Sequence, residues 1–185
     1  MPHPKKKAAV KSLKPPDKNA FTLVALVIFA AILFIGFSMN NNQSPKIENE
    51  VSEPVSKEFS DLVITMGKIP GKEKTPVYSL VIYGDGSVFY EGVDSVGIIG
   101  VQSSKITTGK VNELANYFSE INFSSLKDIY TCQESGTAAT TVTFTNNGKT
   151  KNVFDYCGPE ELRSLEKKID EVTNSKQWIE GKPQY

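Results

Sequence analysis

Along the chain the spacing of apolar residues changes character several times, and each change marks an element. From Ala20 to Met39 the sequence AFTLVALVIFAAILFIGFSM holds no charge, and only Thr22 and Ser38 are polar. At about 1.5 Å rise per residue such a run spans roughly 30 Å, the thickness of a bilayer's hydrocarbon core. It is apolar on every face, which predicts a transmembrane helix rather than one face of a soluble bundle. A strand-type pattern follows. Phe59–Met66 reads as a first strand, with Leu62 and Ile64 on one side. Val77–Tyr83 (VYSLVIY) is rich in β-branched and aromatic residues. Gly84-Asp85-Gly86 is a turn, Ser87–Gly92 returns, and a further strand is expected around Val96–Val101.

The period then lengthens. Val111, Leu114, Ala115, Phe118 and Ile121 recur at helical spacing, predicting a helix capped by Thr108 and running to about Asn122. Phe123–Tyr130 leads out of it. Ala139–Thr145 (ATTVTFT) alternates again, and Asn146-Asn147-Gly148 suits a tight hairpin because Asn-Gly tolerates positive φ. Lys149–Tyr156 returns. Gly158-Pro159-Glu160-Glu161 opens a last helix with proline at its first position and acids at the positive end of the dipole. Leu162, Leu165, Ile169 and Val172 form its apolar stripe, and Trp178 packs back as a lid. The order β-β-β-(β)-α-β-β-α predicts an α+β domain: an antiparallel sheet of two hairpins plus one or two extra strands, two helices packed on one face, preceded by the transmembrane helix.

Composition sets the limits of the segments. Residues 1–19 are rich in lysine and proline, a basic cytoplasmic tail; 20–39 is the span; 40–57, polar with Pro45 and Pro54, is a flexible linker; 58–179 is the domain; 180–185 is a tail. The linker gives a coil of roughly 20–25 Å end to end. In a chain of 185 residues the bases and acids balance at 21 each. Six lysines and one acid fall in residues 1–39, so 15 bases and 20 acids fall beyond them. The lysines before the span and Asn40, Asn41, Asn42 and Gln43 after it put the N-terminus in the cytoplasm and the domain outside, at a cell membrane crossed once. A cleaved signal peptide is the competing reading, since Gly36 and Ser38 have cleavage-like spacing; the long leader and long apolar run favour an uncleaved anchor.

The chemistry that remains is narrow. The acidic body argues against nucleic acid as a partner. The single arginine, Arg163, excludes a phosphate site of arginine forks, and the single histidine, His3, lies in the tail. The body therefore has no histidine metal site, Ser-His-Asp triad or Cys-His pair, and no phosphate loop, dinucleotide fingerprint or nucleophile elbow is present. No catalytic residue, metal or cofactor is assigned. Cys132 and Cys157 flank the second hairpin. Outside the cytoplasm a disulfide is the default, closing a loop whose unfolded-state entropy amounts to about 3–4 kcal/mol; two free thiols or a redox pair are the alternatives. Asp85, Glu91 and Asp94 lie near the first hairpin, and Glu134, Asp155, Glu160 and Glu161 near the second. Turn and capping roles account for most of them, and a carboxylate hydrolase would need two across a cleft. Tyr78, Tyr83, Phe89, Tyr90, Tyr130 and Tyr156 are candidates for a ligand groove, although alternation sends half of any strand's aromatics to the core. Asn42-Gln43-Ser44 and Asn122-Phe123-Ser124 match the glycosylation pattern.

Pro76-Val77-Tyr78-Ser79-Leu80, Tyr83-Gly84-Asp85-Gly86-Ser87-Val88, Tyr90-Glu91-Gly92, Phe123-Ser124-Ser125-Leu126-Lys127-Asp128, Tyr130, Gly148-Lys149-Thr150-Lys151, and Leu162 to Asp170 with Trp178 follow one another in an order that resembles domain-of-unknown-function family 6438, found in prokaryotic envelope proteins. The resemblance covers about Val77 to Trp178 and implies no activity. Members often carry Cys-x-Gly-x-Cys-Pro where this chain reads Gly71-Lys72-Glu73-Lys74-Thr75-Pro76, and Asp-x-Pro where it reads Thr137-Ala138-Ala139. The expected function is a membrane-anchored, non-enzymatic binding or interaction module of the envelope, with a protein or glycan partner and an exposed aromatic or apolar patch on its sheet. The alternatives are a carboxylate-dependent hydrolase acting on envelope polymers and an accessory subunit of an envelope complex.

Overall fold

The computed structural model describes residues 59–132, 136 and 138–182. Seven strands form one sheet: β1 (Val63–Ile69), β2 (Val77–Tyr83), β3 (Ser87–Asp94), β4 (Gly100–Lys105), β5 (Ile129–Tyr130), β6 (Ala139–Asn146) and β7 (Lys149–Asp155). Their spatial order is β4-β3-β2-β1-β6-β7-β5. Three α-helices accompany them, α1 (Thr108–Glu120), α2 (Glu160–Thr173) and the short α3 (Lys176–Ile179), with a 3-10 turn at Phe123–Ser125.

The architecture corrects the sequence expectation. Every neighbouring pair is antiparallel except β5, which runs parallel to β7, so the sheet is mixed. Three helices are present where two were expected. Among the described residues no helix is long and apolar enough to cross a membrane, so the structure shows no transmembrane helix; the span expected at 20–39, with the tail and linker around it, lies outside the described residues.

Boundaries moved where pairing overrode local composition. β1 reaches Ile69, not Met66, because Gly67, Lys68 and Ile69 pair with Thr141, Thr140 and Ala139 of β6. The fourth strand lies at Gly100–Lys105 rather than around Val96–Val101. Its residues GVQSSK are mostly polar because it is an edge strand, half solvated on both faces. The α1 cap is Thr107, whose side chain accepts from the Lys110 N–H at 3.3 Å, one residue before the expected Thr108. Pro159 caps α2 with extended backbone instead of standing at its first helical position. The second hairpin turns as its sequence implies, with Asn147 and Gly148 at φ 50° and 68°.

One face of the sheet carries the core. Ile64 and Met66 of β1, Tyr78, Leu80 and Ile82 of β2, Val88 and Tyr90 of β3, Val142 of β6 and Val153 of β7 alternate onto it. Val111, Leu114, Ala115 and Phe118 of α1 cover them, with Leu162, Leu165 and Ile169 of α2 and Trp178 of α3. The Trp178 ring lies 5.0 Å from that of Tyr90, centroid to centroid. Val172 is only partly buried; Glu166 and Thr173 of α2 are buried in addition to the apolar stripe.

Candidate functional site

The sheet's other face carries no described helix. Register and alternation place there Val63 and Thr65 of β1, Ser79, Val81 and Tyr83 of β2, Ser87, Phe89 and Glu91 of β3, Val101, Ser103 and Lys105 of β4, Thr141, Thr143 and Thr145 of β6, and Thr150, Asn152 and Phe154 of β7. Only Glu91 and Lys105 among them are charged, both beside the β4 edge. Side-chain hydrogen bonds link β6 to β7 on this face. Thr145 and Thr150 lie 3.0 Å apart, oxygen to oxygen, and the Asn152 amide donates to Thr143 at 3.1 Å.

Two shallow hollows open on this face. One, about 380 Å³, is lined by Ser60, Asp61, Leu62, Val63, Tyr83, Gly84, Asp85, Ser87 and Phe89. The half-buried rings of Tyr83 and Phe89 meet edge-on there at 5.9 Å. The second, about 510 Å³, is lined by Asp128, Ile129, Thr150, Lys151, Asn152 and Phe154. Four large apolar side chains are exposed among the described residues: Val93, Ile99, Val101 and Ile129. They lie at the sheet's two edges, the first three beside β4 and Ile129 on β5.

The structure separates the candidate aromatics. Tyr83 and Phe89 line a hollow. Tyr156 stacks on Phe154 at 6.5 Å and accepts the Gly136 N–H on its phenol oxygen. Tyr78 and Tyr90 are core residues, stacked at 5.7 Å. The Tyr78 hydroxyl donates to Asp170 at 2.7 Å, and burial followed by that carboxylate pushes its pKa far above the usual phenol value. Burial, again with Asp170, pushes Tyr90 up to about 12. Tyr130 packs against the core, its oxygen accepting the Lys127 N–H.

The acids are mostly structural. Asp85 accepts from the Ser87 N–H at 2.9 Å and from its hydroxyl at 3.0 Å. Asp94 takes the Ser95 N–H, Asp155 the Gly158 N–H, and Glu160 the Arg163 guanidinium. Glu161 is exposed on α2, Glu91 faces the helix-free side, and Glu134 lies outside the described residues. The hollow does bring two acids to one place, Asp61 and Asp85. Asp61, which the sequence reading passed over, accepts the Gly148 N–H at 3.2 Å. Among the described residues no group of three or more His, Cys, Asp or Glu stands close enough to hold a metal.

Cys132 and Cys157 come together at disulfide distance, their Cα atoms 5.5 Å apart. They tie the segment after β5 to the turn after β7. Asn122 is exposed at the start of the 3-10 turn, whereas Asn42 lies outside the described residues.

Sequence reasoning missed one polar cluster. Lys68 donates to Glu166 at 2.8 Å and to Thr140 at 3.1 Å, and the Thr140 hydroxyl donates to the same Glu166 oxygen at 2.8 Å. Burial pushes the Glu166 carboxyl above the usual range, and Lys68 and Thr140 pull it back. Lys68 spends its donors on this pair and the Thr140 proton points at the carboxylate. The cluster ties β1 and β6 to α2 and leaves no activated nucleophile. Lys68 lies beyond the expected end of the first strand at Met66, so nothing in the sequence marked it as facing a helix.

Residues 62–173, more than half of the chain, match a family described as a domain of unknown function, DUF6438. The chain belongs to this family. The DUF6438 match begins at Leu62, earlier than the resemblance at Val77 implied, and stops before Trp178. It includes all seven strands, α1 and α2, and so the whole helix-free face. The family description carries neither an activity nor a compartment, and no curated protein matches the chain.

Proposed function

We propose that this DUF6438 domain is a non-enzymatic binding module that works outside the cytoplasm through the helix-free face of its sheet. One observation carries the reading. The strand residues of this face are uncharged apart from Glu91 and Lys105, two hollows open on it, one rimmed by Asp61 and Asp85 and the other by Asp128 and Lys151, and the half-exposed pair Tyr83 and Phe89 lies within the first. Binding surfaces concentrate aromatics and shed charge at their centre. The Cys132–Cys157 pair supports the compartment, because such bonds persist in oxidising surroundings. The order of lysines, apolar run and asparagines in residues 1–43 supports a place at a membrane's outer surface.

Hydrolysis by paired carboxylates is less well supported. Asp61 and Asp85 share a hollow, yet each accepts backbone hydrogen bonds that fix it in a turn or between hairpins.

The test is a binding screen of the full chain against cell-envelope glycans and polypeptides. Every hit is repeated with Phe89→Ala and with Lys167→Ala, an exposed α2 residue whose side chain is 78% accessible. Affinity falling about tenfold or more with the first, and unchanged with the second, supports the reading. The opposite pattern sinks it. Thiol alkylation in intact cells, with and without reductant, checks the compartment: reaction without reductant would place the domain in a reducing one.

A further inference from the structure

We propose that the helix-free face takes a linear, uncharged oligosaccharide lying across the strands, with one end in each hollow; this rests on the binding reading above and names its class of ligand. The strand register shows the path. Tyr83 of β2 stands opposite Val63 of β1, Val63 opposite Thr145 of β6, and Thr145 opposite Thr150 of β7. Beside that row runs a second. Phe89 of β3 stands opposite Val81, Val81 opposite Thr65, Thr65 opposite Thr143, and Thr143 opposite Asn152. Tyr83 and Phe89 line one hollow, Thr150 and Asn152 the other. Each row therefore begins in one hollow and ends in the other. From β3 to β7 the path crosses four gaps between neighbouring strands, about 19 Å at the usual spacing. A ligand that reaches both hollows is a chain, not a single small ring.

The chemistry of the two rows selects the chain. None of their residues is charged. No base lines the first hollow, where Asp61 and Asp85 stand, so a polyanion is repelled there. No acid stands in the rows to hold a polycation, and Asp128 at the second hollow is taken by Lys151. A polypeptide strand finds its main-chain partners at a sheet's edge, not on its face, and a docked helix needs an apolar groove. Here Thr65, Thr143, Thr145, Thr150 and Asn152 set hydroxyls and an amide along the path instead. The threonines of β1 and β6 are half-buried, and Thr150 and Asn152 are exposed. Each hydroxyl donates and accepts. The Thr145–Thr150 and Asn152–Thr143 bonds leave lone pairs on the threonine oxygens and the amide oxygen of Asn152 unspent. Sugar hydroxyls, themselves donors and acceptors, match such a row. Aromatic rings stand at both ends, Tyr83 with Phe89 at one and Phe154 at the other. The C–H groups on one face of a sugar ring carry slight positive charge and pack on the negative face of an aromatic ring.

Isothermal titration calorimetry of the full chain tests this, in a detergent without a sugar headgroup because of the apolar residues 20–39. The probes are unbranched dimers and hexamers of glucose, mannose, galactose and N-acetylglucosamine, α- and β-linked, with the hexamer of galacturonic acid as the anionic control. The expected result is a neutral hexamer bound about tenfold or more tighter than its own dimer, since only the longer chain reaches both hollows. Phe89→Ala at one end and Asn152→Ala at the other should each weaken the hexamer about tenfold, and Lys167→Ala on α2 should leave it unchanged. Asn152 and Thr150 are exposed, so Asn152→Ala and Thr150→Val keep the test decisive if Phe89→Ala folds badly. The proposal is overturned if no neutral hexamer binds, if hexamer and dimer bind alike, or if the anionic hexamer binds as tightly. Loss with Phe89→Ala but with neither Asn152→Ala nor Thr150→Val also overturns it, because the ligand then occupies one hollow alone. A polypeptide that binds in a Phe89-dependent way, with no neutral hexamer bound, would end this proposal and leave the binding reading standing. Finding no Phe89-dependent ligand of either kind would end both.

Discussion

Strand β2 shows both faces of the sheet within seven residues. Tyr78, Leu80 and Ile82 point under the helices, and Ser79 and Val81 point the other way, yet all five are at most 5% exposed. Burial alone therefore does not separate the faces. What separates them is the cover. On one side Leu80 belongs to a continuous core that includes residues of α1, α2 and α3. On the other, no described helix covers Val81, whose cross-strand partners are Thr65 and Phe89, and exposure rises outward toward two hollows and the sheet's edges. The helix-free face is thus buried at its centre and exposed at its rim.

The sharpest way to break this comparison is to empty both sides of β2. Leu80→Ala should cost about 3 kcal/mol, the transfer of a buried leucine plus the cavity left in a tightly packed layer. Val81→Ala removes fewer atoms from a site with room to relax and should cost about 1 kcal/mol. Urea unfolding of the two variants measures both. Equal losses would mean that the helix-free face is as much core as the covered one, and the proposed binding surface would lose its basis.

Sequence pattern reached the covered face far better than the open one. The stripes of α1 and α2 and the alternation of VYSLVIY were legible because a helix-covered sheet demands apolar residues at fixed periods. Asn147-Gly148 was legible because its turn needs positive φ. β4 and β5 were not: a polar edge strand looks like a loop, and a strand of two residues has no period to detect. The parallel partnership of β5 with β7 depends on contacts distant in sequence, such as the Phe154 N–H donating to Asp128 at 2.8 Å. Of the aromatics put forward for a groove, strand parity implied only that half face the core; the structure puts Tyr78 and Tyr90 inward and Tyr83 and Phe89 on the other face. Parity could not reveal that Asp61, from the loop before β1, completes the same hollow as Tyr83 and Phe89.

A smaller effect probes the polar seam of the covered face. Tyr78 donates to Asp170, which Ser175 also serves at 2.6 Å. Tyr78→Phe should cost about 1.5 kcal/mol near neutral pH, the loss of a hydrogen bond to a charged group. The pH dependence has a definite sign. Tyr78 and Tyr90 have pKa values raised in the folded protein, Tyr90 to about 12. The folded state therefore holds their protons more tightly than the unfolded chain does. Their contribution is fully present below about pH 10, the unfolded phenol value, and is lost as pH rises through the folded values. Tyrosinate absorbance followed alongside unfolding should show both rings ionising only as the structure opens. Tyr78→Phe should flatten the alkaline fall in stability, and ionisation of both rings in the intact fold would contradict the buried seam.

The smallest change is expected on the helix-free face itself. Thr143 stands between Thr65 of β1 and Asn152 of β7, and its oxygen accepts the Asn152 amide at 3.1 Å. Both groups are reachable by solvent, so water replaces the bond when it is lost. Thr143→Ala should therefore shift stability by no more than about 0.5 kcal/mol, measured by thermal melts against the Leu80→Ala and Val81→Ala variants. A loss above about 1 kcal/mol would show that the threonine row holds the sheet together, as cross-strand pairs do where burial is deep. The hydroxyls would then be spoken for by the fold. A loss near zero leaves them as positions the fold does not need, and it leaves the threonine row available to a partner bound across the face.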